Sequence, residues 1–392
     1  MKSLLRVALA MTIVLGVLQF STSASADDRR EDNHYADDHR GDDWHRWQAP
    51  CQTSASNLFK ACQLDASADL NTAKASCAHI ADYMDRKTCE SEAREQFSDG
   101  RDECLSQVQS RFEVCGLLDE RRYQDPINDP ALTFINPDDV PSVYPANPYV
   151  SVAAGRTLLL RGGEDFEERV VIHVTDEVRE VQGVPCRIVW DIVMVAQEDD
   201  AGNVVEYEPV EVTQDWFAQT DNGDTYYCGE AVQDYEDGIV ISLDGSFEAG
   251  TDYANGGFLT KAFPVVGSTH RQELDVNDAE DLVQYLDLAA VPSDEEGGEN
   301  PAFPCAPVGC LRTFDFSTLS PESTEYKYYL AGTGFVLAVS LEDGELTGER
   351  EELVCAGDGL SVLNTPGCGL EDPDAVRELI CELAPDALCE DE

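Results

Sequence analysis

The sequence predicts an α+β protein: a disulfide-laddered N-terminal helical hairpin, then an antiparallel β meander curled into a barrel or half-barrel, then a small Cys-rich C-terminal helical tail. Three observations carry that prediction. Residues 51–99 contain neither proline nor glycine, and their apolar positions recur at helical spacing. From about 150 to 355 the apolar period falls to two, and Gly-containing turns punctuate it. All 14 cysteines lie beyond an N-terminal export signal, an even number suited to structural disulfides.

The signal comes first in the chain. Lys2 and Arg6 are basic, Val7 to Phe20 is apolar, and Ala24-Ser25-Ala26 is an A-x-A cleavage site. The apolar run is short for a spanning helix, so cleavage after Ala26 and a secreted or periplasmic mature protein are expected. No cysteine stands at the cleavage point for lipid attachment, and no later segment is long and apolar enough to span a bilayer. Loss of the two basic residues takes the net charge from −52 to −54. So negative a surface repels nucleic-acid backbones and anionic membrane surfaces, excluding both as partners, and attracts cations as counterions. At high salt the Debye length shrinks to about 3 Å, so an acid-rich, lysine-poor surface fits a salt-adapted protein.

Residues 27–49 are a disordered Asp/His-rich segment by composition. His34, His39 and His45 alternate there with Asp37, Asp38, Asp42 and Asp43, a donor set that suits zinc, copper or nickel. They are the candidate metal ligands.

The hairpin spans 50–116. Cys51, Leu58, Cys62, Ala66, Leu70, Ala73 and Cys77 form one helical stripe, and Cys89, Ala93, Phe97, Gly100, Cys104, Val108 and Cys115 form a second. Cys51 and Cys62 are roughly 16 Å apart along a helix, too far to bond each other. The stripes mirror one another instead. Position numbers sum to 166 for Cys51 with Cys115, Cys62 with Cys104, and Cys77 with Cys89, and also for Ala66 with Gly100 and Ala73 with Ala93. A constant sum requires an in-register antiparallel pair that folds back near residues 82–85. The small residues between the rungs permit the close approach that disulfides impose. The arrangement resembles the hairpin of mitochondrial coiled-coil-helix-coiled-coil-helix proteins, whose paired cysteines stand ten apart rather than the eleven found here in the outer pairs. That likeness concerns architecture alone.

Residues 117–149, with six prolines between Pro126 and Pro148, form an extended connector. The β domain (150–354) follows. Its clearest strands are expected at 168–178, 186–195, 204–219, 225–230, 325–331, 334–341 and 345–354, with a hairpin turn on Asn222-Gly223. Eight to ten strands in all would make the barrel. The break at 277–300 has the pattern of one short helix followed by an acidic loop, which Cys305 and Cys310 staple. In the tail (355–392), Asp372 and Pro373 open a helix. Cys355, Cys368, Cys381 and Cys389 supply two disulfides whose pairing stays open. Cys186 and Cys228 remain, and pair by elimination.

The segments "DWFAQTDNGDTYYCGE" (215–230), "GSFEAGTDYANGG" (245–257) and "FPVVGSTHRQE" (263–273) resemble an uncharacterised exported bacterial β-rich family over roughly 150–350. In that family two larger residues are common where Tyr227-Cys228 stands here. The resemblance implies a β-rich exported domain and no catalytic role.

Motifs for chemistry are missing. The chain has no Gly-x-Ser-x-Gly elbow, His-Glu-x-x-His pair, phosphate-binding glycine loop or Cys-x-x-Cys zinc ribbon. His79, His173 and His270 stand where structural roles are commoner. Asp215, Trp216 and Glu230 are the candidate ligand-binding residues at a barrel mouth. The favoured expectation is a non-catalytic binding or scaffold protein, without a cofactor beyond an optional divalent cation, that takes a small apolar ligand or a protein partner. The alternatives are a secreted hydrolase with an acidic, cation-assisted site at that mouth, and a self-associating cell-surface component.

Overall fold

The computed structural model describes residues 50–120, 122–163, 166–198, 204–297, 301–370 and 372–384. The export signal, the Asp/His-rich segment with His34, His39 and His45, and Cys389 lie outside the described residues.

Helices α1 (Pro50–Cys77) and α2 (Tyr83–Leu117) form the hairpin. Asp82 caps α2, its Oδ1 accepting from the backbone N–H of Met84 at 2.7 Å and of Asp85 at 3.1 Å. The three rungs are Cys51–Cys115, Cys62–Cys104 and Cys77–Cys89, with Cα–Cα distances of 5.8, 5.8 and 5.7 Å. A Cβ added at Gly100 would meet Ala66 Cβ at 3.7 Å, so these small residues face each other between the rungs, as the mirror requires.

The β domain comprises β1 (Arg156–Gly162), β2 (Glu168–Val181), β3 (Val184–Glu198), β4 (Val204–Gln219), β5 (Thr225–Glu236), β6 (Ile239–Ser242), β7 (Phe247–Glu248), β8 (Asn255–Thr260), β9 (Thr269–Arg271) and β10 (Glu273–Leu274). It continues with β11 (Asp281–Ala290), β12 (Cys310–Ser317), β13 (Ser323–Leu330), β14 (Gly334–Glu342) and β15 (Glu345–Asp358). Every pairing is antiparallel, and β1 pairs with both β2 and β15, so the last strand returns to the first. The sheet's two ends meet on one short segment. β9 bonds to β11, and β10, one residue further on, bonds to β8. The barrel is thereby all but closed, and hardly any edge is left to template aggregation.

Residues 281–290 are strand β11 and not the helix expected there. The apolar residues of β11 fall on both faces, with Leu282 on one and Val283 and Tyr285 on the other, and all three are buried. A strand buried on both sides loses its alternation, and its spacing then imitates a helix.

Three layers surround the barrel. The tail helix α3 (Pro373–Leu383) lays Val376 and Ile380 on the outward residues Leu159, Val171, Ile192, Met194 and Val212. Cys355–Cys368 staples this tail to β15, and Cys381 is also disulfide-bonded. The connector folds over the end that carries the β4–β5 turn, where Asn147, 2% exposed, donates its Nδ2 to Gly223 O at 2.8 Å. Cys186–Cys228 ties β3 to β5 across β4, and Cys305–Cys310 closes the loop before β12. The hairpin docks at the opposite end. There Arg111, 5% exposed, makes two 2.9 Å bonds to the carboxylate of Glu280, 2% exposed. Gln107 donates to Leu319 O at 2.9 Å.

A carboxylate-lined barrel interior as the candidate functional site

A strand sends alternate side chains to opposite faces, and closure makes one of those faces the barrel interior. The space enclosed is a cavity of about 940 Å³. Its wall has two characters. Strands β1 and β2 present Leu158, Val170, Ile172 and Val174, with Val189 and Val193 of β3 beside them. Elsewhere, among aromatic residues such as Phe217, Tyr227 and Tyr329, it carries acids: Asp191 (β3), Glu211 and Asp215 (β4), Glu230 (β5), Glu273 (β10), Asp281 (β11), Asp315 (β12), Glu325 (β13) and Glu351 (β15). In the strand order, β11 and the β9–β10 segment lie half a turn of the sheet from β2 and β1, so the acids of Asp281 and Glu273 face the aliphatic wall. Ala154, Gly332 and Asp358 are exposed on the lining and mark where the cavity meets solvent.

Lys327 is the cation among these acids. Its Nζ lies 3.2 Å from Glu325 Oε2 and 3.8 Å from Asp315 Oδ2. Burial opposes its charge, but Glu325 and Asp315 overcome that and hold the ammonium protonated well above the usual lysine range. Arg156, on the rim side, spends one Nη2–H on Thr333 O at 3.1 Å.

Asp215 and Glu230 are cross-strand partners. Tyr227 Oη donates to Asp215 Oδ1 at 2.5 Å. Burial nevertheless pushes the Asp215 carboxyl up to about 7. Burial, then the Asp215 charge, raises Glu230 well above the usual range. Glu273 is raised in the same way by burial and then by Asp281 and Glu230, and Asp191 by burial and then Asp215. Burial lifts Glu351 to about 7 and Asp315 to about 6, Lys327 opposing in both cases. Burying a charge without a partner is costly, so such groups hold protons instead. Glu273 is the sharpest case. It is 4% exposed, and its Oε2 has no hydrogen-bond partner.

The sequence-predicted residues separate here. Asp215 and Glu230 face each other inside the barrel, away from the ends of their hairpin. Trp216 points outward, because its strand alternates. Its ring is 4% exposed under the connector, the Arg179 guanidinium lies 3.9 Å from the ring centroid, and Nε1 donates to Gln214 Oε1 at 2.9 Å. His173 and His270 lie outside the cavity lining. Thr157 Oγ1 is 2.8 Å from His173 Nδ1, and Phe258 O is 2.9 Å from His270 Nε2. Burial pushes both imidazoles down to about 4. Seven of the nine interior acids were missed. Their signal was an acid amid a β-branched run, as in Val189-Trp190-Asp191-Ile192-Val193, or acids an even number of residues apart on one strand, as Glu211 and Asp215 are, four apart with Thr213 between them.

No protein-family model matches the chain, and no curated protein does. Among solved structures, a Bacteroides fragilis protein described as exported and of YmcC-like fold aligns at 14% identity, covering 55% of this chain and 98% of its own, with a TM-score of 0.25. At that score the likeness carries no argument. The resemblance drawn above from 215–230, 245–257 and 263–273 therefore stands on those residues alone.

Proposed function

We propose that this chain is an exported, non-catalytic protein that holds a small ligand inside its barrel. The observation that carries the reading is the cavity itself, about 940 Å³ lined by strand side chains from around a nearly closed barrel, a volume in the range of small-molecule sites. Six disulfides within the described residues support an oxidising compartment. No helix among the described residues is long and apolar enough to cross a membrane. The signal cleaved after Ala26 and the salt-adapted surface belong to the same reading. The Asp/His-rich segment remains a separate proposal for a divalent metal.

Native mass spectrometry of the mature protein, purified from culture fluid without chelators, tests it. The expected result is an extra mass of small-molecule size that leaves on mild denaturation and is missing from Ile172→Trp, a substitution that fills the cavity. A bare mass in both proteins would shift the assignment to a scaffold that docks a partner.

One observation favours a second reading, a hydrolase: the Asp215–Glu230 pair places a carboxyl held near neutrality beside another acid, which suits general acid–base work. Asp215→Asn and Glu230→Gln separate the two. An enzyme would lose turnover and keep its ligand, whereas a binding protein has no turnover to lose.

A further inference from the structure

We propose that the ligand of this barrel is an organic cation carrying two or more amines on an aliphatic body. The inference rests on the ligand-chamber reading above and adds the chemistry of the occupant.

Glu273 is the first reason. Its side chain lies in the cavity wall, 4% exposed, and its Oε2 receives no hydrogen bond. The largest charge effects on it come from Asp281, Glu230, Asp215 and Asp275, all acids, and no N–H of the described residues reaches Oε2. A buried acceptor left unmade is what an incoming N–H satisfies.

Charge balance is the second reason. Lys327 is committed to Glu325 and Asp315 at 3.2 and 3.8 Å. The Asp215–Glu230 pair has Tyr227 as a neutral donor and only the distant charge of Lys327, which is already paired, to offset it. One amine therefore leaves acids uncompensated, and several amines spaced along a chain match carboxylates spread over several strands. A compact metal ion does not fit this distribution, because among the described residues no three His, Cys, Asp or Glu side chains converge to hold one.

The aliphatic wall is the third. Leu158, Val170 and Ile172 line β1 and β2, across the barrel from Glu273 and Asp281. A ligand with methylene stretches between its amines buries them there while the ammonium groups meet the acids. Amphipathic side chains divide themselves in the same way.

The test is isothermal titration of the full mature chain with spermine, a linear tetraamine, at moderate salt. The controls must remove the attraction that any polycation feels for so acidic a protein. Glu273→Gln probes the interior, and Asp343→Asn makes the same charge change on an exposed turn. One-site binding that weakens about tenfold or more in Glu273→Gln, is lost in Ile172→Trp, and is unchanged in Asp343→Asn is the expected result. Equal weakening in Glu273→Gln and Asp343→Asn would assign the amine to the outer surface and overturn the proposal. Calcium binding that depends on Glu273 where spermine does not bind would overturn it in favour of a metal. If spermine fails while a neutral amphiphile such as dodecanol binds and is blocked by Ile172→Trp, the chamber stands and the amine does not. If Ile172→Trp alters the binding of nothing, both fall.

Discussion

The hairpin and the barrel interior treat their inward-facing residues in opposite ways. In the hairpin, the facing positions are cysteines and small residues, and three covalent rungs hold two helices that bury little else. In the barrel, part of the inner wall stays aliphatic, with Leu158, Val170 and Ile172, while the rest carries nine acids and Lys327, and much apolar packing lies outside, under α3 and the connector. The hairpin is stabilised by what its interior contains, while the barrel is stabilised by its outer wall in spite of its interior. Charged groups retained at such a cost belong to function more often than to stability.

The largest effect is expected where the two regions meet. Arg111→Ala leaves Glu280 buried without its cation and should cost about 3–5 kcal/mol, read from denaturant unfolding. Replacing both partners with methionine should restore most of that loss. If Arg111→Ala is silent, the hairpin is not docked through this pair.

Within the hairpin, cost should follow loop length. Removing Cys51–Cys115, separated by 64 residues, should cost about 4 kcal/mol, and removing Cys77–Cys89, separated by 12, about 3. Both losses should appear in hairpin protection by hydrogen exchange and leave the barrel strands unchanged. Equal losses in both regions would make the hairpin and the barrel one cooperative unit.

The barrel should respond in the opposite sense to loss of charge. Glu273→Gln removes a buried carboxyl that folding forces to hold a proton, and should raise stability by about 1–3 kcal/mol at pH 8, seen as a higher melting temperature. A lower one would mean that Glu273 has a donor in solution.

The smallest and most diagnostic effect is on pH dependence. Burial raises Asp215 and Glu351 to about 7 and Asp315 to about 6. The folded state thus holds protons that the unfolded chain has already released. The stability these groups favour is present at low pH and is lost as pH climbs through 6 and 7. His173 and His270, held down to about 4, act in the other direction, and their contribution fades as pH falls from 6.5 toward 4. The melting temperature should therefore decline most clearly between pH 6 and 7, above most of the range in which the histidines oppose the acids, and Asp215→Asn should flatten that decline. A stability that rises across this interval would show the interior acids to be solvated.

The hairpin was legible in full because its partners are covalent and its register is a matter of arithmetic: each cysteine has one place to go once the two helices run antiparallel. Strand β4 was legible to the residue at 204–219, since its apolar residues alternate and the Asn222-Gly223 turn follows it. Strand β11 was not, because burial on both faces erased its alternation. Asp215 and Glu230 were legible as a pair of interest, but Trp216 was grouped with them although adjacent residues on a strand cannot share a face.

Alone, the sequence determined the charge, the hairpin rungs and the alternation of strands such as β2 and β4. Which alternate set became the lining was decided by the tertiary structure. Alternation is symmetric: Asp191 and Ile192 point to opposite sides in any sheet, and nothing local says which side is inside. Closure of the barrel on the β9–β10 segment, and the covering of Ile192 by α3, turned Asp191 inward. With it turned the acids of neighbouring strands, which makes a cavity out of residues that lie far apart along the chain.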